Sequence, residues 1–146
     1  MSISDKSCLK TEMIVKMIRS GEYTIEELET MAKLPTLTDC LNEMIGRQNR
    51  PIDAIAGLAG MNTATFHKIL SRKMNPSRNM LIRISRSLDM TFEETQILLK
   101  SGNCAALSGN RGRDLYLIDG IENKKGIADI NDALTSHGYM DLSGRG

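Results

Sequence analysis

The sequence predicts an all-α fold, on three observations. Apolar residues recur at helical spacing in segment after segment. No stretch alternates apolar and polar residues long enough to argue for a strand. Aromatic residues make up only 3% of the 146 residues, with no Trp. Strands draw on aromatic and β-branched side chains, so a core built mainly from Leu, Ile, Met and Ala favours packed helices. With 40% apolar and 25% charged residues, the composition is that of a soluble globular protein, not a disordered one.

From Lys10 to Arg19, the residues Met13, Ile14, Met17 and Ile18 mark one helix, and Gly21 stops it. Thr24 to Glu27 reads as a capping box, in which the Thr hydroxyl accepts from a free N–H of the first turn while Glu27 reaches back. Ile25, Leu28, Met31 and Leu34 form the stripe of the helix behind it, which ends at Pro35. Residues 1–35 therefore read as an N-terminal helical hairpin.

A third helix, from about Thr38 to Gln48, carries Leu41, Met44 and Ile45 inward. Pro51 can open the next, short helix from Ile52 to Ala59, because the first turn of a helix does not need its N–H. Gly60 ends it. Asn62 is a good N-cap for a helix from Thr63 to Leu70, and Arg72 to Ser77 is a loop. Ser77 caps a helix with Leu81, Ile84 and Leu88 inside, and Thr91 to Glu94 is a second capping box for a helix through Leu99.

The Gly-, Ser- and Asn-rich segment from Ser101 to Gly112 reads as a linker. Beyond it, Leu115, Ile118 and Ile121 suggest one helix, and Ile127, Ile130 and Leu134 another. Residues 113–142 thus form a C-terminal helical hairpin.

The distribution of charge bears on function. Residues 47–86 carry Arg47, Arg50, Lys68, Arg72, Lys73, Arg78, Arg83 and Arg86 against the single Asp53, while both flanking regions are net acidic. A basic middle between acidic flanks suggests a polyanion partner at one face. Arg83 and Arg86, on the helix after the loop, are expected to be solvated.

Other classes of function find little support. No apolar run approaches the roughly 20 residues that span a bilayer, and Met1 to Lys10 lacks the apolar core of a signal peptide. Cys8, Cys40 and Cys104 are far apart, form no CxxC and have neither His67 nor His137 nearby. They read as reduced thiols of a cytoplasmic protein, and no metal or cofactor is expected. Ser108 to Gly112 lacks the Lys-Ser/Thr of a phosphate-binding loop. Asp114, Asp119, Asp129 and Asp132 are spread along helical surfaces without a paired-carboxylate motif. No catalytic residue is expected.

The stretch from Ile52 to Ser71 is the informative one. A helix-turn-helix packs two helices steeply across a very short turn. It needs a small residue at the contact (Ala56), a turn residue that tolerates a left-handed backbone (Gly60), and apolar locks (Ile55, Ala59, Met61, Phe66, Ile69). These residues, followed by Ile69 to Ser77 with its Asn75-Pro76, by Leu81-Ile82-Arg83-Ile84 and Leu88, and by Phe92, Glu94 and Leu98-Leu99, resemble the Cro/lambda-repressor (XRE) helix-turn-helix family over residues 37–101. Pro51 departs from the family's usual Ser or Thr cap, and Gly57 is a weak helix former there.

The resemblance implies a lambda-repressor-like bundle whose helix from Thr63 to Leu70 enters the major groove of double-stranded DNA. Asn62, Thr63, Ala64, His67 and Lys68 would face base edges. Ser71, Arg72 and Lys73 would lie over phosphates, with Arg78 a further contact. A homodimer is the usual way such proteins match palindromic operators. The expected function is a transcriptional regulator. The alternative is an adaptor or antitoxin-like protein that uses the same fold to bind a protein, for which the terminal hairpins also offer a surface.

Overall fold

The computed structural model describes residues 11–32 and 35–144. Met1 to Lys10 (with Cys8) and Leu34 lie outside the described residues, and of Met13 and Met31 only the backbone is described. Among the described residues the regular structure is helical throughout: α1 (Thr11–Ser20), α2 (Ile25–Ala32), α3 (Leu37–Gly46), α4 (Ile52–Leu58), α5 (Thr63–Leu70), α6 (Arg78–Ser87), α7 (Phe92–Ser101), α8 (Gly112–Glu122) and α9 (Ile127–Ser136). None of these helices is long and apolar enough to cross a membrane.

The helix starts follow the expected cap chemistry. Thr36, Asn62, Ser77 and Thr91 each accept a first-turn N–H with the side chain. Both capping boxes close: Glu27 N–H donates to Thr24 Oγ1 while Thr24 N–H donates to Glu27 Oε1, and Thr91 and Glu94 repeat the pattern. Pro51 is the N-cap of α4, not its first residue, and has extended backbone.

Six of the helix ends share one device. At Gly60, Arg72, Asp89, Asn103, Lys124 and Gly138 the chain turns through a positive φ, and the N–H groups of each of these residues and of the next one bond back into the last turn.

The five helices α3 to α7 enclose the centre of the core, where Leu41, Ile55, Phe66, Ile84 and Leu98, one from each, have no exposed surface. α3 packs on α5 and α7, α4 on α5 and α6, and α6 on α7. α8 joins through α7, and α9 lies on α8. Leu107, Leu117, Ile121, Ile130, Leu134 and Leu142 extend the same cluster. At Gly120 a Cβ would come within 2.5 Å of Ile130 Cγ1, so the missing side chain is what lets α8 and α9 approach this closely.

This continuity corrects two expectations. The segment from Ser101 to Gly112 is not a free linker. Gln96 brackets Leu107 by donating Nε2–H to its carbonyl and accepting its N–H, and Arg78 donates to the carbonyls of Ala105 and Ala106. The second correction is to α8. Its inward residues are Asp114, Leu117, Gly120 and Ile121, while Leu115 is 51% exposed. Of the expected stripe Ile121 is buried and Ile118 packs against the core, but Leu115 is not inward, because a carboxylate and a glycine hold two of the four inward positions.

Asp114 is therefore not a surface acid. Both its oxygens accept from the Arg78 guanidinium, at 3.0 and 2.9 Å, and Ser108 N–H donates to the same carboxylate. Burial by itself would push this carboxyl up. The hydrogen bonds from Arg78 and Ser108, with the charges of Arg78 and Arg111, outweigh burial and hold it below its ordinary value of 3.8. Beside it, Arg113 donates to Asn79 Oδ1 and to the carbonyls of Met140 and Asp141, and Asn79 donates to the carbonyl of Gly144. Polar contacts thus tie the C-terminal segment to α6.

Two measurements test this packing. Gly60, at φ +73°, sits where a β-branched residue is strained, so Gly60→Val is expected to cost about 1–3 kcal/mol in thermal unfolding. An unchanged midpoint would mean the turn carries no strain. Because the Asp114 carboxyl is held low in the folded state, its contribution is complete above 3.8 and is lost as the pH falls through that value toward the folded one. The stability of the wild type should fall across that acid window, while Asp114→Asn should start about 3 kcal/mol lower and respond less to acid there. Parallel pH profiles would contradict this assignment.

Candidate nucleic-acid interface

α5 is divided lengthwise. Phe66 and Ile69 are wholly buried against the core, and Ala64, His67, Lys68 and Ser71 are exposed on the other side. Spacings of three and four residues place those four side chains on one strip of the helix. α4 holds α5 from behind, with Ala56 and Ala59 fully buried. Only Ala59 to Asn62 separate the two helices. The turn closes through Met61 N–H to the Ala56 carbonyl and Gly60 N–H to the Gly57 carbonyl, at 3.1 and 3.0 Å.

The residues expected at the interface sit as follows. Asn62 is exposed and its Oδ1 accepts Thr65 N–H at 2.7 Å, which leaves both amide N–H groups free to donate to a partner. Thr63 is half-buried at the first turn. Ala64, His67 and Lys68 are exposed, as are Ser71, Arg72 and Lys73 just past the helix end. These last three lie where α5 leaves its terminal carbonyls, a setting that favours cations. Arg72 has φ 63°, a conformation that costs an L-residue other than glycine about 1–2 kcal/mol.

Arg78 is withdrawn as a phosphate contact. Its guanidinium is spent on Asp114 and two carbonyls, and freeing it would leave a buried carboxylate unpaired.

The structure also revises the charge of the basic middle. Arg47 pairs with Glu94 at 2.8 Å and with Glu43 at 3.4 Å. Arg86, expected to be solvated, has a side chain only 4% exposed and donates to the carbonyls of Lys125 and Met90. Arg83, also expected in solvent, is half-buried, with an Nε that has no partner among the described residues. Burial lowers the pKa of both, partly offset by Asp141 at Arg83 and Asp89 at Arg86. Among the described residues, Arg50, Lys68, Arg72 and Lys73 are the cations of this stretch that are exposed and outside any ion pair. Three of the four cluster at the end of α5.

No three His, Cys, Asp or Glu side chains among the described residues are placed to share a metal ion. Burial, with the nearby charges of Glu43 and Glu94, pushes the Cys40 thiol up to about 12, which leaves it inert as a nucleophile at neutral pH.

Sequence reasoning missed the Arg86 and Arg78 anchors. The partners of Arg78, and the Lys125 carbonyl that holds Arg86, lie 27 to 39 residues away in the chain, and no local pattern marks them. Comparison with family models, curated proteins and solved structures finds no match to this chain.

Proposed function

We propose that the chain is a sequence-specific DNA-binding transcriptional regulator of the Cro/lambda-repressor type, with α5 in the major groove. The observation that carries this reading is α5 itself. One side is locked into the core by Phe66 and Ile69, and the other presents Ala64, His67 and Lys68 to solvent. A cluster of unpaired cations, Lys68, Arg72 and Lys73, gathers at its end. Lys68 can donate to guanine O6 and N7, and Ala64 can touch a thymine methyl. Arg72 and Lys73 would hold the backbone, with Ser71 as a neutral donor.

A second reading, an adaptor or antitoxin-like protein that binds a protein partner, is favoured by the terminal hairpins. Ile25 on α2 is 62% exposed, as is Met140 after α9, and Ile18 and Leu115 are exposed with them. The two readings are compatible. A second copy of the chain seated on these residues would give a homodimer that reads a two-fold operator.

The test compares an operator, selected from a random pool, with a scrambled duplex. Binding should weaken with salt, with a log–log slope of about −2 per protomer for the two cationic phosphate contacts, Arg72 and Lys73. Lys68→Ala should cost about 1–3 kcal/mol on the operator and little on the scrambled duplex. Lys73→Ala should weaken both equally and reduce the slope by about one unit. Arg72→Gly separates folding from function, because it relieves the backbone and should keep or raise the unfolding midpoint while weakening both duplexes. A flat salt response, or no enriched motif together with a captured protein partner, would favour the adaptor.

A further inference from the structure

A cleft of about 300 Å³ opens where the approach to α4, the end of α6 and the turn between α8 and α9 meet. None of residues 62–73 lines it. Four cations line it, Arg50, Arg86, Lys124 and Lys125, against one carboxylate, Asp89. They come from three separate segments of the chain, so no single charged run accounts for the cluster.

Two of the four are partly satisfied. Lys125 Nζ lies 3.0 Å from Asp119 Oδ2. Arg86 donates Nε–H and Nη1–H to carbonyls, which leaves Nη2 facing Asp89 at 3.8 Å, beyond hydrogen-bond length. Asp89 is itself 66% exposed, so the carboxylate nearest the buried guanidinium is well hydrated and loosely held. Among the described residues, Arg50 and Lys124 pair with no carboxylate. A concave wall of low dielectric focuses the field of such a cluster and makes a bound anion worth more there than on open surface.

We infer that this cleft binds a phosphoryl group. A phosphoryl group offers several oxygens to donors drawn from separate segments, and among the cations that line the cleft Arg50 and Lys124 have no carboxylate partner among the described residues. The exposed Leu58 at the rim would lie against an apolar portion of the ligand. The group has two possible sources, a free phosphorylated small molecule or the backbone of a bound duplex.

The inference stands independently of the DNA reading, and it is tested on the free, full-length chain. Amide shifts are followed as inorganic phosphate replaces chloride at constant ionic strength. Saturable shifts at Arg50, Lys124 and their neighbours are expected. The double variant Arg50→Gln with Lys124→Gln should weaken binding well over tenfold, since the loss of one charge-assisted hydrogen bond alone is worth about tenfold. Arg72→Ala with Lys73→Ala should leave it within about twofold, because those residues lie outside the cleft. Thermal unfolding in chloride reports whether the double variant folds, and the single, exposed Lys124→Gln provides a second reading of the same site. Shifts that do not saturate, that map to residues 62–73, or that survive the cleft variants overturn the proposal. Where the site holds, repeating the titration with duplex DNA bound assigns the source. Blocked phosphate binding marks a backbone phosphate as the occupant, and retained binding marks a free phosphorylated ligand.

Discussion

The buried pair of Arg78 and Asp114 decides how the chain is divided. A carboxylate with almost no exposed surface needs a full set of donors, and Arg78 with Ser108 N–H supplies them. The first residue of α6 is thereby fixed to the first turn of α8, and the same guanidinium holds the carbonyls of Ala105 and Ala106 between them. The stretch of chain richest in Gly, Ser and Asn becomes a fixed strap. α8 and α9 share one core with α3 to α7.

That rigidity matters at α5. A recognition surface needs side chains held still by the elements behind them, and here the support runs from Phe66 and Ile69 through Ile55 and Ala56 of α4 to Leu81 and Ile84 of α6. The strip that faces solvent is correspondingly simple: small at Ala64, polar at His67 and Ser71, cationic at Lys68. Ion pairs and carbonyl contacts elsewhere absorb Arg47, Arg78 and Arg86. The unpaired positive charge is concentrated at the end of α5 and, separately, around the cleft near Lys124.

Much of this was legible in the sequence, for reasons that are local. Thr24 with Glu27, Asn62, Ser77, and Thr91 with Glu94 announce helix starts through hydrogen bonds that span three residues. Gly60 announces the turn because few other residues tolerate its φ of +73°. Phe66 and Ile69 read as core from spacing alone. What escaped depends on distant partners. The inward register of α8 is hidden because Asp114 and Gly120 break the apolar pattern, and each makes sense only beside Arg78 or Ile130. Net charge over residues 47–86 overstated the basic surface, since counting residues cannot show which cations are already paired. The left-handed backbone at Arg72, Asp89, Asn103 and Lys124 was equally hidden, although the end of α5 at Leu70 was read from the sequence, because a left-handed residue is announced reliably only when it is glycine.

The central claim is that the bare side of α5 meets DNA. Mapping amide chemical-shift changes as the selected operator duplex is added to the full chain tests it most directly. The account predicts that the largest changes fall from Asn62 to Lys73, strongest at Ala64, His67 and Lys68, with the buried Phe66 and Ile69 moving less. Changes confined to Ile18, Ile25, Leu115 and Met140, with residues 62–73 silent, would contradict it.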